Sequence, residues 1–192
     1  NSKTTKRGND VHSSFVLRSR GLTLIFAANH IGNVQDIPAR SLEYLRTAEL
    51  VIFEEDRVAR QTLKAAGIHR EYLKLNEHSR GILDEIREAL LKNHTVIYMS
   101  DQGMPNLADP GRQLLQLAYE NKIKVQIIPG PSSISAALAA CPFNIETFHY
   151  AGFLSRSENE RKQELTKLKN FRCPIVILDT PYRLKALLED CV

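Results

Sequence analysis

The chain has 192 residues, 43% hydrophobic and 25% charged, enough to bury the core of one large domain or two small ones. Its 26 Lys and Arg against 22 Asp and Glu leave a net charge of +4, which suits an anionic partner such as RNA without requiring one. Cys141, Cys173 and Cys191 form no C-x-x-C pair, and no apolar run nears the roughly 18 residues of a membrane span, so the composition reads as a cytoplasmic protein with no metal site and no disulfide framework.

Residues 1–20 are polar, with Lys3, Lys6, Arg7, Arg18 and Arg20, and read as a flexible tail or as a basic arm for RNA. Leu22 to Phe26 is a continuous apolar run of strand length, which marks a strand covered on both faces. A loop follows over Ala27 to Asp36, and Leu42, Leu45 and Ala48 then space a helix from Pro38 to Ala48. Leu50 to Phe53 is a second strand. It runs into an acidic cluster, Glu54 to Arg57, and a helix that Gly67 closes beyond Ala66. A short extended piece, Tyr72 to Leu75, meets Asn76 to His78. Ile82, Ile86, Ala89 and Leu90 then recur at helical intervals.

Thr95 to Met99 is a strand that delivers the chain into a turn-rich segment holding Asp101, Gly103, Pro105, Asp109, Pro110 and Gly111, ahead of a helix over Arg112 to Glu120. Lys124 to Ile128 is the next strand. This alternation of strand and helix predicts right-handed βαβ units and a largely parallel sheet. Pro129 to Ser133 interrupts the pattern and divides the chain into an N-terminal α/β domain, 21–129, and a C-terminal α/β domain, 130–192. Ser132 or Ser133 is placed to cap a small-residue helix over Ser135 to Ala140. Strands over Thr147 to Leu154 and Pro174 to Leu178 alternate with helices over Glu158 to Lys169 and Leu184 to Asp190.

The chain carries no G-x-G-x-x-G, no lysine phosphate loop and no G-x-S-x-G elbow. What it does carry is an ordered series of strand-end loops: Asn29 to Ile37, Glu54 to Arg57, Leu75 to Glu77, Ser100 to Pro105 with Asp109 to Gly111, Pro129 to Ser132, Gly152 to Ser155, and Leu178 to Arg183. In this order the loops resemble the tetrapyrrole methylase superfamily, and within it most closely the ribosomal RNA small subunit methyltransferase I group. That group's pattern runs T-P-I-G-N-L-x-D-I, E-D-T-R, H-N-E, S-D-A-G-T-P with D-P-G, P-G-P-S, G-F-L-P and Y-E-S-P-x-R. Departures fall at Asn29 and His30 for Thr-Pro, Gln102 and Met104 in the central loop, Ser155, and Leu178 to Thr180. Gln102 and Met104 are bulkier than the residues they replace.

The resemblance implies two α/β domains with a cleft between them, S-adenosylmethionine bound in that cleft, a homodimer, and 2′-O-methylation of an rRNA ribose. Because the group's pattern continues past the last motif, the second domain is expected to be incomplete at Val192. Carried over residue by residue, Ser100, Asp101, Gly103, Met104 and Pro105, with Pro131, Ser132 and Ser133, would hold the amino-acid and ribose parts of the cofactor. Phe153, Leu154 and Pro181 would lie near the adenine. Methyl transfer to a ribose hydroxyl needs alignment and a proton acceptor, for which Glu54, Asp56 and Arg57 are the candidate set, with Arg57 and Arg60 on a phosphate. The alternative for this set is a solvated strand end with Asp56 as helix N-cap. His30 is either a base or a substitution in a divergent loop. Two other readings stay open: methylation of a tetrapyrrole or other small molecule, and a non-catalytic relative that binds RNA or protein.

Overall fold

The computed structural model describes residues 23–75, 80–107 and 109–192. The proposed tail and Asn76 to His78 lie outside that range. Strand β1 (Thr23–Ala27) is buried at every position, as its unbroken apolar run requires. It stands inside a five-stranded sheet with β2 (Leu50–Phe53), β3 (Leu73–Lys74), β4 (Thr95–Met99) and β5 (Lys124–Ile128), in the order β3-β2-β4-β1-β5. All the pairings are parallel.

Side chains alternate across this sheet with the period of two that a strand imposes. Ile25, Val51, Phe53, Ile97 and Met99 pack toward Leu45 of α1 (Ala39–Thr47) and Ala59 and Leu63 of α2 (Asp56–Ala65). Leu24, Phe26, Ile52, Val96 and Tyr98 pack on the other side, toward Ile86 and Leu90 of α3 (Arg80–Leu91) and Leu114 and Ala118 of α4 (Gly111–Glu120). The strand order explains this division. The crossovers through α1 and α2 travel one way along the sheet and those through α3 and α4 travel back, so right-handed connections must cover opposite faces. The chain therefore leaves the adjacent central strands β1 and β4 in opposite directions. That reversal opens a crevice at their carboxyl ends, where ligands of open α/β sheets bind.

After β5 come α5 (Ser133–Ala139), β6 (His149–Phe153), α6 (Glu158–Leu168), β7 (Ile175–Leu178) and α7 (Leu184–Asp190). Strands β6 and β7 form a separate parallel pair with a bulge between Tyr150 and Gly152, where Gly152 adopts φ +68°. None of their residues is fully buried, and the small core beside them is built from Leu154, Leu165, Leu168 and Leu187. Two local details differ from the sequence reading. Asp56 is the first residue of α2 rather than its N-cap; Glu55 occupies that position, with extended backbone and no side-chain cap. A single 3-10 turn over Val34–Asp36, capped by the Asn33 side chain on the Gln35 N–H, also precedes α1. Ser132 caps α5 as anticipated, through the Ser135 N–H.

Helices α6 and α7 are joined by a buried ion pair. The Arg161 guanidinium, 8% exposed, reaches Asp190 at 2.5 Å, and Lys162 adds a second cation at 3.5 Å. Asp190 ends α7, where the helix dipole disfavours a carboxylate, so Arg161 compensates both burial and dipole. Asp190→Ala leaves that guanidinium buried without its partner and is expected to cost about 3 kcal/mol in urea denaturation. Combining it with Arg161→Met is expected to recover most of the loss.

Candidate functional site

The loops that leave β1 and β4 are tied to each other through one residue. Asn29 N–H donates to Gly103 O at 2.9 Å and Gly103 N–H donates to His30 O at 3.2 Å, a two-bond staple between neighbouring strand ends. Gly103 sits at φ +70°, and a Cβ there would meet Pro131 O at 3.0 Å and Ile31 Cγ2 at 3.1 Å. Only glycine satisfies both the backbone angle and the close approach. The buried Asn29 side chain donates to Ser100 O, Asp101 O and Thr62 Oγ1, while Ser100 Oγ donates to Gly103 O. The turn of Ser100 to Pro105 is thus fixed from beneath, with Gly103 against Pro131.

Beside this staple, the ends of β2 and β4 bring Glu54, Asp101 and Asp109 near one another. Asp109 is fully engaged: Oδ1 accepts from Gly111 N–H at 2.7 Å and from the Tyr98 hydroxyl at 3.1 Å, and Oδ2 accepts from Asn106 N–H at 2.7 Å. Asp101 Oδ1 accepts from Glu55 N–H at 3.0 Å and so joins β4 to the start of α2. Burial pushes the Asp101 carboxyl upward, against the lowering effect of that hydrogen bond. Burial, then the neighbouring Asp109, also raises the Tyr98 hydroxyl, which keeps it a neutral donor. The largest consequence falls on Glu54. Burial and then the charges of Asp101 and Asp109 raise its pKa from 4.5 to about 7. A carboxyl poised there exchanges a proton at neutral pH, which an ordinary glutamate does not do.

Glu54 opens onto a cleft of about 1480 Å³. Its lining comes from two parts of the chain: Glu54, Asp109 and Arg112 follow strands of the five-stranded sheet, and Phe153, Arg156 and Tyr182 lie at or after β6 and β7. The ends of β6 and β7 are fixed by Arg183, whose Nη2 donates to Leu154 O at 2.9 Å and Ser155 O at 3.1 Å. Asp179, 3% exposed, holds Arg183 Nε at 3.3 Å. Ser155 N–H donates to Glu164 at 2.8 Å, so this segment is secured from α6 as well.

The sequence-selected residues divide among these features. Glu54, Phe153 and the buried Leu154 line the cleft; Pro181 is exposed between the lining residues Thr180 and Tyr182. Ser100, Asp101, Gly103 and the buried Pro105 build the stapled turn, with Met104 half-buried and Gln102 exposed within it. Pro131 abuts Gly103, while Ser132 and Ser133 begin α5. Asp56, Arg57 and His30 do not line the cleft. Asp56 is occupied by the Tyr72 hydroxyl at 2.5 Å and by Arg60, and Arg57 is exposed on α2. His30 Nδ1 accepts from Gly32 N–H at 3.2 Å. The sequence assigns no role to Arg112, Arg156 or Tyr182: Tyr182 stands within the Leu178 to Arg183 loop, whereas the two arginines carry no local signal.

An open parallel sheet with its crevice at the switch between β1 and β4, and a second small α/β unit supplying the opposite wall, defines a class of proteins. The chain belongs to the family of tetrapyrrole (corrin/porphyrin) methylases, whose model matches residues 23–191. It is similar to proteins named ribosomal RNA small subunit methyltransferase I. The one from Leptospira borgpetersenii is 35% identical over 87% of this chain and 66% of its own length. That of Thermotoga maritima is 36% identical over 87% and 75% respectively, and that of Halalkalibacterium halodurans 31% identical over 88% and 58%. The chain thus spans between about three-fifths and three-quarters of these relatives. Two solved structures share the fold: the cobalamin biosynthetic enzyme cobalt precorrin-4 methyltransferase, with a TM-score of 0.63 at 18% identity over 93% of this chain and 77% of that one, and diphthine synthase, 0.59 at 20% over 88% and 71%.

The raised Glu54 pKa links stability to pH. Because the folded state holds this proton more tightly than the unfolded state, the stabilisation is fully present below 4.5 and is lost as pH rises through about 7. Glu54→Gln removes the charge, so its melting temperature is expected to exceed that of the parent at about pH 8 and to match it near pH 4 to 5.

Proposed function

We propose that this protein is an S-adenosylmethionine-dependent methyltransferase acting on an rRNA ribose hydroxyl. Family membership and the shared name of its curated relatives support the reaction class and the substrate. The single structural observation that carries the chemistry is Glu54, a carboxyl with a pKa of about 7 on the wall of a large cleft. By the same support we read the chain as cytoplasmic and homodimeric, with its two α/β domains meeting near residue 129. Among the described residues no helix is long and apolar enough to cross a membrane.

The residues present fit a sulfonium cofactor by their chemistry. A cation is favoured beside Glu54, Asp101 and Asp109, and Phe153 with Leu154 offers an apolar surface to a purine ring. In this reading Ser100 to Pro105, Pro131 and the serines after it hold the cofactor, and Gly103 keeps that cradle closed. When bound, S-adenosylmethionine supplies an electrophilic methyl group. Glu54 accepts the proton of the ribose hydroxyl as its oxygen becomes the nucleophile, and burial, with the charges of Asp101 and Asp109, makes it basic enough to do so at neutral pH. Asp109 itself is held by three donors and acts as a fixed charge. The facing walls align the reacting groups and exclude water.

Three measurements check this. Calorimetric titration with S-adenosylhomocysteine is expected to give saturable binding; no heat at millimolar ligand would sink the methyltransferase reading. Gly103→Val is expected to abolish that binding, and unchanged affinity would remove the loop from the site. The methylation rate on 16S rRNA from a strain lacking the modification is expected to rise with pH through about 7. Glu54→Gln should lower kcat by about 100-fold or more and flatten this profile, in line with the usual worth of a general base.

A further inference from the structure

The cleft's polar groups are unequally engaged in hydrogen bonds, and the inequality points to what it grips. Most of its carboxylates keep their charge but already accept from protein donors. Asp109 accepts from three donors, Glu55 pairs with Lys74 at 3.4 Å, and Glu164 accepts from Ser155 N–H. Glu54 is half-protonated at neutral pH. Of the three arginines that line the cleft, Arg183 is spent on Asp179 and two backbone carbonyls. The guanidinium groups of Arg112 and Arg156 are exposed and make no hydrogen bond or ion pair among the described residues. They come from opposite walls: Arg112 from the first turn of α4 and Arg156 from the loop after β6. The cleft thus holds two arginine side chains free to take a ligand, one following a strand of each sheet.

An aromatic surface completes the arrangement. Tyr182 is 92% exposed and lines the cleft, and Phe153 is 49% exposed on the same wall. Neither ring takes part in an aromatic pair among the described residues. A large planar side chain held in water beside two unpaired arginines costs apolar exposure unless a ligand ring covers it. Paired guanidinium groups and an open aromatic face are the two devices by which proteins hold single-stranded nucleic acid: phosphates on the cations and an unstacked base on the ring.

We propose that Arg112, Arg156 and Tyr182 form a clamp for a single-stranded RNA segment, with Tyr182 stacking on a base and the two arginines taking phosphates from opposite sides of the cleft. This rests on the RNA reading above and specifies how the strand is held. It also moves the phosphate contacts away from Arg57 and Arg60, which the sequence suggested. Arg60 is paired with Asp56 and neither arginine lines the cleft. Glu54 lines the same cleft as both arginines, so the clamp and the proposed proton acceptor share one cavity.

The test uses the whole chain and a fluorescently labelled, unstructured oligocytidylate followed by anisotropy at several salt concentrations. Arg112→Gln and Arg156→Gln are each expected to weaken binding about tenfold at low salt and to reduce the slope of log affinity against log salt by about 0.7, the value for one lost phosphate contact on a single strand. Tyr182→Ala is expected to weaken binding roughly tenfold with no change in that slope, and Tyr182→Phe to restore it. S-adenosylhomocysteine affinity, measured in parallel, should be unchanged in all three variants. Unchanged oligonucleotide binding in the arginine variants, or no binding by the parent protein, overturns the clamp and leaves the methyltransferase reading standing. Lost S-adenosylhomocysteine affinity in those variants also overturns it, because the arginines then hold the cofactor carboxylate. A parent protein that binds the oligonucleotide but not S-adenosylhomocysteine keeps the clamp and removes the methyltransferase instead.

Discussion

The staple at Gly103, in which Asn29 N–H and Gly103 N–H exchange hydrogen bonds with Gly103 O and His30 O, joins the loops of the two central strands, and the rest of the site hangs from it. Parallel strands β1 and β4 pair along their full length, but pairing stops at Ala27 and Met99. Without a bond beyond that point, both loops would be free to move independently in water. The staple carries the order of the sheet past its edge. Asn29 extends that order to Ser100 and Asp101 from below, and Asp101 extends it sideways to Glu55 at the start of α2. Three strand ends are thereby held in one frame, and Glu54 takes its place in that frame.

The electrostatics of Glu54 follow from the same frame. Burial is the first reason the Glu54 charge is costly, and the charges of Asp101 and Asp109, each held in place by its own donors, add to it. A mobile Asp101 or Asp109 would swing away and remove that addition, leaving the effect of burial. Rigidity in the β4 loop is therefore converted into proton affinity one strand away. On the facing wall, Arg183 and Glu164 do comparable work for the segment after β6, which stands at the end of a sheet whose strands are nowhere fully buried.

Much of the fold was readable from the sequence because its signals are local. The unbroken run of β1, the helical spacing of Ile86 and Leu90, and the turn residues after Met99 each act over a few positions, and the observed elements fall where those patterns lie. The N-cap of α2 was displaced by one residue because Glu55 and Asp56 offer similar acidic chemistry and only the backbone angles separate them. In the site, Glu54 and Phe153 were legible as strand-end residues. Asp56 and Arg57 adjoin Glu54 in the sequence but are not among the residues lining the cleft, and Asp56 is engaged by Arg60 and Tyr72. Arg112 and Arg156 could not be singled out, since their distinction is the lack of a partner in three dimensions.

The closeness of Gly103 to Pro131 and Ile31 has a further consequence for how such a cleft can change over evolutionary time. An insertion or a side chain at the staple disturbs the β1 and β4 loops together, together with the turn before α5 that presses on them. Variation on that side is coupled, so it must arise as compensated sets rather than single steps. In the loops after β6 and β7, the exposed Arg156 and Tyr182 side chains are not part of that staple. A protein of this construction can be retuned toward a different acceptor most readily by exchanging residues such as Arg156 and Tyr182, while the chemistry stays anchored on the opposite wall.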